Sequence, residues 1–272
     1  MIKNVLFMLT FCTILIGGTA CYAEDEFDFN NFADITVVTN AENSETSGFC
    51  RDYSQLTENT LNEGAEFVNV RQFDIAGAML GMTYDEINNL FFTGNNLYAP
   101  RRFNSIEYAI SKDWEYNLDY ECRQNNIYIP DRLKACIHSL ARNRGLLYVS
   151  AVHLERTFTG ETIDIYFTSN ATDNVVWQII YKNDADKVEG GDRKFENQRE
   201  KKVNSFWQGI YDKYGTPNSD IDKWISDASA FEPMMQAYRG KLELSYRGID
   251  QTDCSYNHNA SREHFQAKPY AF

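Results

Sequence analysis

Residues 146–182 constrain the fold more than any other stretch of the chain. Thr162–Ser169 alternates Ile163, Ile165 and Phe167 with Asp164 and Tyr166. Asn174–Lys182 places Val175, Trp177, Ile179 and Tyr181 on one side and Val176, Gln178 and Ile180 on the other. A period of two is the signature of a strand whose faces meet different surroundings. Leu146–Phe158 supplies a third strand-like segment, and Thr159-Gly160-Glu161 and Asn170 to Asp173 supply the turns. Turns this short can join only antiparallel strands, because a parallel pair needs a crossover of about a dozen residues or more. The expectation is an antiparallel three-stranded meander, which rules out an all-helical or doubly wound parallel fold.

The helices are marked by their ends. Thr83 suits an N-cap, Glu86 three residues later completes a capping box, and Met82 with Ile87 can close a hydrophobic staple. The spacing predicts a helix over Tyr84–Phe92, with Ile87, Leu90 and Phe91 buried and Gly94-Asn95 as its stop. Pro130 opens a second helix in which Leu133, Cys136, Ile137, Leu140 and Ala141 share a face, and Gly145 closes it. A third runs from about Glu196 to Tyr214 with Val203, Phe206, Trp207, Ile210, Tyr211 and Tyr214 as its stripe, ended by Gly215 and Pro217. Ser219 and Asp222 predict a capped helix through Ser229. Phe67 to Ile75 reads as extended, the aromatic stretch Leu97 to about Cys122 as one or two strands, and Lys241–Arg247 as a last strand. From Ile249 onward no period is evident, and an irregular tail is expected. The fold class is therefore α+β, an antiparallel sheet with helices packed on one face, and the order also admits two related halves.

The ends and the cysteines speak to compartment. Lys3 followed by the apolar run Val5–Ile16 reads as a secretory signal, too short for the ~20 residues that span a bilayer. The expected organisation is a signal peptide over 1–23, an acidic flexible leader over 24–64, a globular domain over 65–255 and an irregular tail over 256–272. Ala20 or Ala23 can precede the cut. Cys21 also admits lipidation of the new N-terminus, although Gly18 stands where a Leu is usual. Removal of Cys12 and Cys21 leaves Cys50, Cys122, Cys136 and Cys254, an even set that an exported chain can pair. Cys122 with Cys136, close in sequence, is the first expected disulfide, and Cys50 with Cys254 the second. The chain carries a net charge of −13, and ten acids stand against one base, Arg51, between Glu24 and Gly64. That balance argues against nucleic acid, which wants a basic stripe. A periplasmic or secreted protein is expected, with an outer-membrane lipoprotein as the lesser reading and no further transmembrane segment after cleavage.

Around the first helix the residues Gly77-x-x-Leu80-Gly81-Met82-Thr83-x-x-Glu86-Ile87 carry a resemblance. The stretch resembles the Gly-Met-Ser/Thr-x-x-Glu-Val signature of small secreted bacterial proteins. Among them are the SmpA/OmlA-type outer-membrane-assembly lipoproteins and the repeats of the secreted β-lactamase-inhibitor protein. Lys213-Tyr214-Gly215-Thr216-Pro217 resembles a segment found downstream in uncharacterised proteobacterial proteins with the same motif. The resemblance covers about a dozen residues well. It implies two short helices before an antiparallel sheet, and interaction rather than catalysis as the role.

Few segments of the chain match a catalytic motif. The chain lacks a Gly-x-Ser-x-Gly elbow, a phosphate-cradling Gly-x-x-x-x-Gly-Lys, a His-Glu-x-x-His and a Gly-x-Gly-x-x-Gly. His153-Leu-Glu155 has the His-x-Glu spacing of zinc deaminases without their Pro-Cys-x-x-Cys, so a cross-strand polar pair is its expected role. His138 lies off the apolar face of its helix and is expected in solvent. Asn183-Asp-Ala-Asp186 with Glu189 and Asp192 clusters oxygen ligands but fails the EF-hand spacing at Val188, so a solvated turn is expected. No catalytic, cofactor-binding or metal-binding residue is assigned, and no cofactor. The expected function is an exported envelope protein acting on an unknown protein partner, of assembly or inhibitor type, through the exposed face or edge of the 146–182 meander. The alternative is a secreted carboxylate-dependent hydrolase of cell-wall or host polymers, which requires a pocket with two acids, one of raised pKa. A structural or ligand-carrying module is a third reading, marked by an unexplained apolar cavity.

Overall fold

The computed structural model describes residues 51–93, 97–101, 105–156, 159–183, 193–219, 222–238 and 240–266, with the side chains of 193–199 left aside. The expected α+β fold is present. A small hairpin, β1 (Asp74–Ile75) and β2 (Ala78–Met79), leads into helix α1 (Tyr84–Phe91). Strands β3 (Tyr98–Pro100) and β4 (Ile106–Ala109) precede helices α2 (Lys112–Gln124) and α3 (Pro130–Asn143). The meander follows as β5 (Tyr148–Arg156), β6 (Thr162–Phe167) and β7 (Val176–Lys182). Helix α4 (Arg193–Tyr214), strands β8 (Lys223–Ile225), β9 (Met234–Tyr238) and β10 (Lys241–Ser245) and helix α5 (Arg247–Gln266) complete the chain.

The main sheet has the order β3-β5-β6-β7-β10-β9-β8, with β4 also paired to β5, and every pairing is antiparallel. Its register aligns apolar side chains in rows across the strands. Val152, Ile165, Ile179, Leu244, Met235 and Trp224 stand opposite one another in turn, and all are fully buried. Leu154, Ile163, Tyr181, Leu242 and Ala237 form the parallel row. Ile87 and Phe91 of α1 and Phe206, Trp207, Ile210 and Tyr214 of α4 pack onto this core. The periodicity reading located these rows because an alternating strand buries every second residue.

The Leu-Gly-Met-Thr motif has a structural explanation. Gly81 lies at φ +83°, a left-handed conformation that a side chain disfavours. Its amide donates to Val176 O at 2.8 Å, and Val176 N donates back to Met82 O at 2.8 Å. The capping box forms as expected: Glu86 N donates to Thr83 Oγ1 at 3.3 Å and Thr83 N to Glu86 Oε2 at 2.7 Å. The motif therefore caps α1 and clamps its start to the head of β7. Gly94 and Asn95 lie outside the described residues.

A second body of structure is helical. α2 and α3 pack around a small core of Ile110, Leu118 and Ala141, joined by Trp114, Ile137 and Leu140, and α5 lies against α2. The expected Cys122–Cys136 disulfide ties α2 to α3. Cys254 on α5 is disulfide-bonded as well. Cys21 and Cys50 lie outside the described residues.

Four expectations are corrected here. The stretch 112–124 is helix rather than strand: its aromatic residues imitate alternation, but Ile110, Trp114, Leu118 and Cys122 recur every four residues and those positions meet the core. No helix follows Ser219. Its Oγ donates to Thr60 O at 2.6 Å, and it bridges Leu61 and Lys223 while Lys223–Ile225 joins the sheet. That long-range pairing overrides the local capping signal. The last part of the leader also belongs to the domain, since Asn59 N donates to Ala228 O and Asn62 N to Asn218 O. Finally, the supposed tail from Ile249 is helix α5 as far as Gln266. Its inward positions are Asp253, Asn257 and Ser261, polar side chains at helical spacing that no hydrophobic period reveals. Asp253 Oδ1 accepts from Ser169 Oγ and Thr172 Oγ1, each at 2.6 Å, and its Oδ2 from Ser169 N at 3.1 Å. Ser261 Oγ accepts from Asn117 Nδ2 at 2.6 Å and donates to Asp113 O at 3.0 Å.

Two stability predictions follow from these contacts. Thr83→Ala removes the cap and lowers the unfolding free energy by about 0.5–2 kcal/mol, read by urea denaturation. Asp253→Ala removes the acceptor of Ser169 N, Ser169 Oγ, Asn257 Nδ2 and the part-buried Thr172 Oγ1 and costs about 1–3 kcal/mol or more, with the loss of helical signal concentrated in α5 by hydrogen exchange.

Candidate functional site

His153, expected in a cross-strand polar pair, has its partner fixed by the register. His153 stands opposite Asp164 on β6, with Nδ1 at 2.8 Å from Asp164 Oδ1. Its Nε2 lies 3.0 Å from Glu107 Oε1 on β4. Arg101 Nη2 and Lys182 Nζ approach the same Asp164 at 3.1 and 3.3 Å. The cross-strand polar pair is thus present, and Glu155, the second half of the His-x-Glu spacing, is exposed. Burial alone would push the imidazole down, but the hydrogen bonds and charges of Asp164 and Glu107 outweigh it and raise His153 to about 9. Burial likewise favours a neutral Asp164, yet His153, Arg101 and Lys182 hold its carboxyl below the ordinary value. The cluster is an ion-pair network, in which His153 Nε2 approaches Glu107 as a charge contact without the geometry of a hydrogen bond. It offers neither a nucleophile beside a base nor an acid poised near neutrality.

His138 departs from expectation. It is half-buried rather than solvated, and burial with the neighbouring charges of Lys134 and Arg142 pushes its imidazole down. The carboxylate-rich loop 184–192 lies outside the described residues. The meander does not provide an edge. β5, β6 and β7 are each paired on both sides, so the open edges belong to β3, β4 and β8.

Sequence reasoning missed two features. The first is a cleft of about 800 Å³ between α4 and the sheet. Phe206, Gly209 and Ile210 form its helical wall, and Tyr98, Glu161 and Tyr181 face them from the strands. Phe206 stacks on Tyr181 with ring centroids 6.2 Å apart. Glu161 accepts from Arg156 Nη1 at 2.9 Å, Thr159 Oγ1 at 3.0 Å and Tyr181 Oη at 3.1 Å. Burial pulls its carboxyl upward, but these donors outweigh burial and hold it below the ordinary value. Burial and Glu161 push Tyr98 up to about 12 and raise Tyr181 further. The hydrolase alternative requires two carboxylates, one raised. The carboxylate that lines this cleft is instead a charge held ionised by its donors. Lys213 Nζ is committed to Asp74 Oδ2 at 2.8 Å, whereas Lys201 and Lys202, also lining the cleft, make no ion pair among the described residues. Gly209 sits mid-helix, where Gly costs ~1 kcal/mol relative to Ala, and a Cβ there would meet nothing within 4 Å.

The second feature is an aromatic surface on the helical body. Tyr116 is 65% and Tyr120 42% exposed, one turn apart on α2, and Tyr120 meets the exposed Phe265 of α5 edge-on at 5.7 Å. Tyr128 and Ile129 are exposed just beyond the end of α2. The signal was present as the i, i+4 pair Tyr116/Tyr120 but was hidden by reading the segment as strand. No family model, curated protein or solved structure matches the chain.

The His153 network carries a pH prediction. A group that titrates at about 9 when folded, against 6.5 in the ordinary state, stabilises fully below pH 6.5 and loses that contribution as pH rises through 9. Unfolding free energy should fall by on the order of 1–3 kcal/mol between those limits, and His153→Gln should flatten the slope in urea titrations at stepped pH.

Proposed function

We propose that this chain is an exported envelope protein that acts by binding a protein partner rather than by turning over a substrate. The observation that carries the reading is the exposed aromatic face Tyr116–Tyr120–Phe265. Large aromatic side chains in contact on a surface lose apolar hydration when covered, and Tyr is enriched at the centres of protein interfaces. The face stands on helices anchored by a disulfide and by buried polar contacts, so its side chains are held in place before a partner arrives. The signal-like N-terminus and the Leu80-Gly81-Met82-Thr83-x-x-Glu86 resemblance support the same reading. The acidic balance of the chain favours a partner with a basic surface, whose approach is accelerated at low salt.

The proposal is tested by crosslinking in envelope extract, with the wild-type protein beside Tyr116→Ser/Tyr120→Ser/Phe265→Ser. The expected result is one dominant adduct with the wild type and at least about tenfold less with a variant that melts at the same temperature. An adduct equally strong with the folded variant, or no adduct together with turnover of a polymer substrate, would overturn it.

A further inference from the structure

We infer that Cys254 is bonded to Cys50, and that this bond locks down an N-terminal strap, residues 51–62, with Arg51 over Trp177. Cys254 on α5 is disulfide-bonded, and Cys122 and Cys136 are taken by each other. The other cysteines of the chain are Cys12, Cys21 and Cys50. The residue after Cys50 decides among them. Arg51 lies against α5, with Nε 4.0 Å from Asp250 Oδ2, and Tyr53 donates its hydroxyl to the same carboxylate. Asp250 stands one turn before Cys254 on α5, so the two share a face of the helix. A Cα is about 3.8 Å from that of its chain neighbour, which brings Cys50 to this face. Cys12 and Cys21 lie far back along the chain, within the expected signal peptide.

The two ends of the strap are held differently. Near its far end Asn59 N donates to Ala228 O, Ser219 Oγ to Thr60 O and Asn62 N to Asn218 O, a run of bonds to the loops on either side of β8. From Asp52 to Glu58 the described backbone amides bond only within the strap, Ser54 N to Asp52 Oδ1 and Leu56 N to Tyr53 O. At the near end the contacts are made by side chains. The Arg51 guanidinium lies 4.1 Å above the ring of the buried Trp177, and Tyr53 meets Phe231 edge-on at 5.9 Å. Arg51 is exposed, and water weakens its ion pair with Asp250. The covalent bond is what keeps this end down. Opening it takes two electrons and two protons, which a dithiol supplies. Its thiolate attacks Sγ of the part-exposed Cys254, and Cys50 leaves as a thiolate and takes up a proton. The second thiol then displaces Cys254, which is protonated in turn, and closes the reductant's own disulfide. Arg51 is then released from Trp177, whose ring meets water. The inference does not depend on the aromatic face of α2 and α5, so either proposal can fail without the other.

Peptide mapping of the purified protein without reduction should give a peptide that joins Cys50 to Cys254. A peptide joining Cys254 to Cys12 or Cys21, or a free thiol at Cys254, would overturn the pairing. Cys50→Ser/Cys254→Ser should be cut by trypsin after Arg51 at least about tenfold faster than the oxidised wild type. Its tryptophan emission should move to longer wavelength, and adding Trp177→Phe should remove that shift. A variant that keeps a cooperative melting transition and shows neither change would overturn the lock. Stepwise dithiothreitol treatment of the wild type, with freed thiols alkylated and mapped, reads the same two changes without a mutation. They should rise with alkylation of Cys254, and a rise only with alkylation of Cys122 and Cys136 would overturn the lock.

Discussion

Register across the main sheet is the constraint on which the other features rest. Six strands contribute one residue each to the row Val152, Ile165, Ile179, Leu244, Met235 and Trp224, and each of these side chains is fully buried. A slip of one residue on any strand would send its buried set to the opposite face and bring a polar set into the core. The same register that buries Ile165 places Asp164 beside His153 on the other side, and the parallel row contributes Tyr181 and Leu242 to the cleft. Core, ion-pair network and cleft are three consequences of one pairing pattern.

The helical body is attached on different terms. Where α5 meets the turn after β6 and helix α2, the buried positions are Asp253, Asn257 and Ser261. Hydrogen bonds of this kind add little net stability, because water would satisfy the same groups, but leaving any one unmade is expensive. Such an interface therefore defines one docking geometry sharply. Arg51 over Trp177 and the hydrogen bond from Tyr53 to Asp250 extend the polar seam to the segment before the first helix. The disulfide between α2 and α3 closes the body from its other side.

The two features outside the sheet core differ in their lining. The aromatic face of α2 and α5 is exposed, with Tyr120 in edge-on contact with Phe265. The cleft beside α4 is lined by apolar and aromatic groups together with Glu161, which Arg156 answers, and the exposed Lys201 and Lys202. Neither arrangement places a nucleophile against a base. The His153 network has the residue types of catalysis, yet each of its charges is committed to another, which keeps the imidazole protonated instead of poised to exchange a proton.

The sequence by itself determined the elements whose signal is local. Alternation at Ile163, Ile165 and Phe167 defined the meander, Thr83 with Glu86 defined the start of α1, and Cys122 and Cys136 lay close enough to name the disulfide. Tertiary structure decided what local signals leave ambiguous. Ser219 had the chemistry of a cap but was taken by the strand pairing of residues 60–62, and Tyr116 and Tyr120 read as strand until α3 and α5 covered the other side of α2. α5 carried no apolar period, because its interface is built from hydrogen bonds, and a hydrophobic pattern cannot report a polar contact. The cleft was invisible for a further reason. Tyr98, Glu161 and Phe206 are distant in sequence, and only the packing of α4 onto the sheet brings them together.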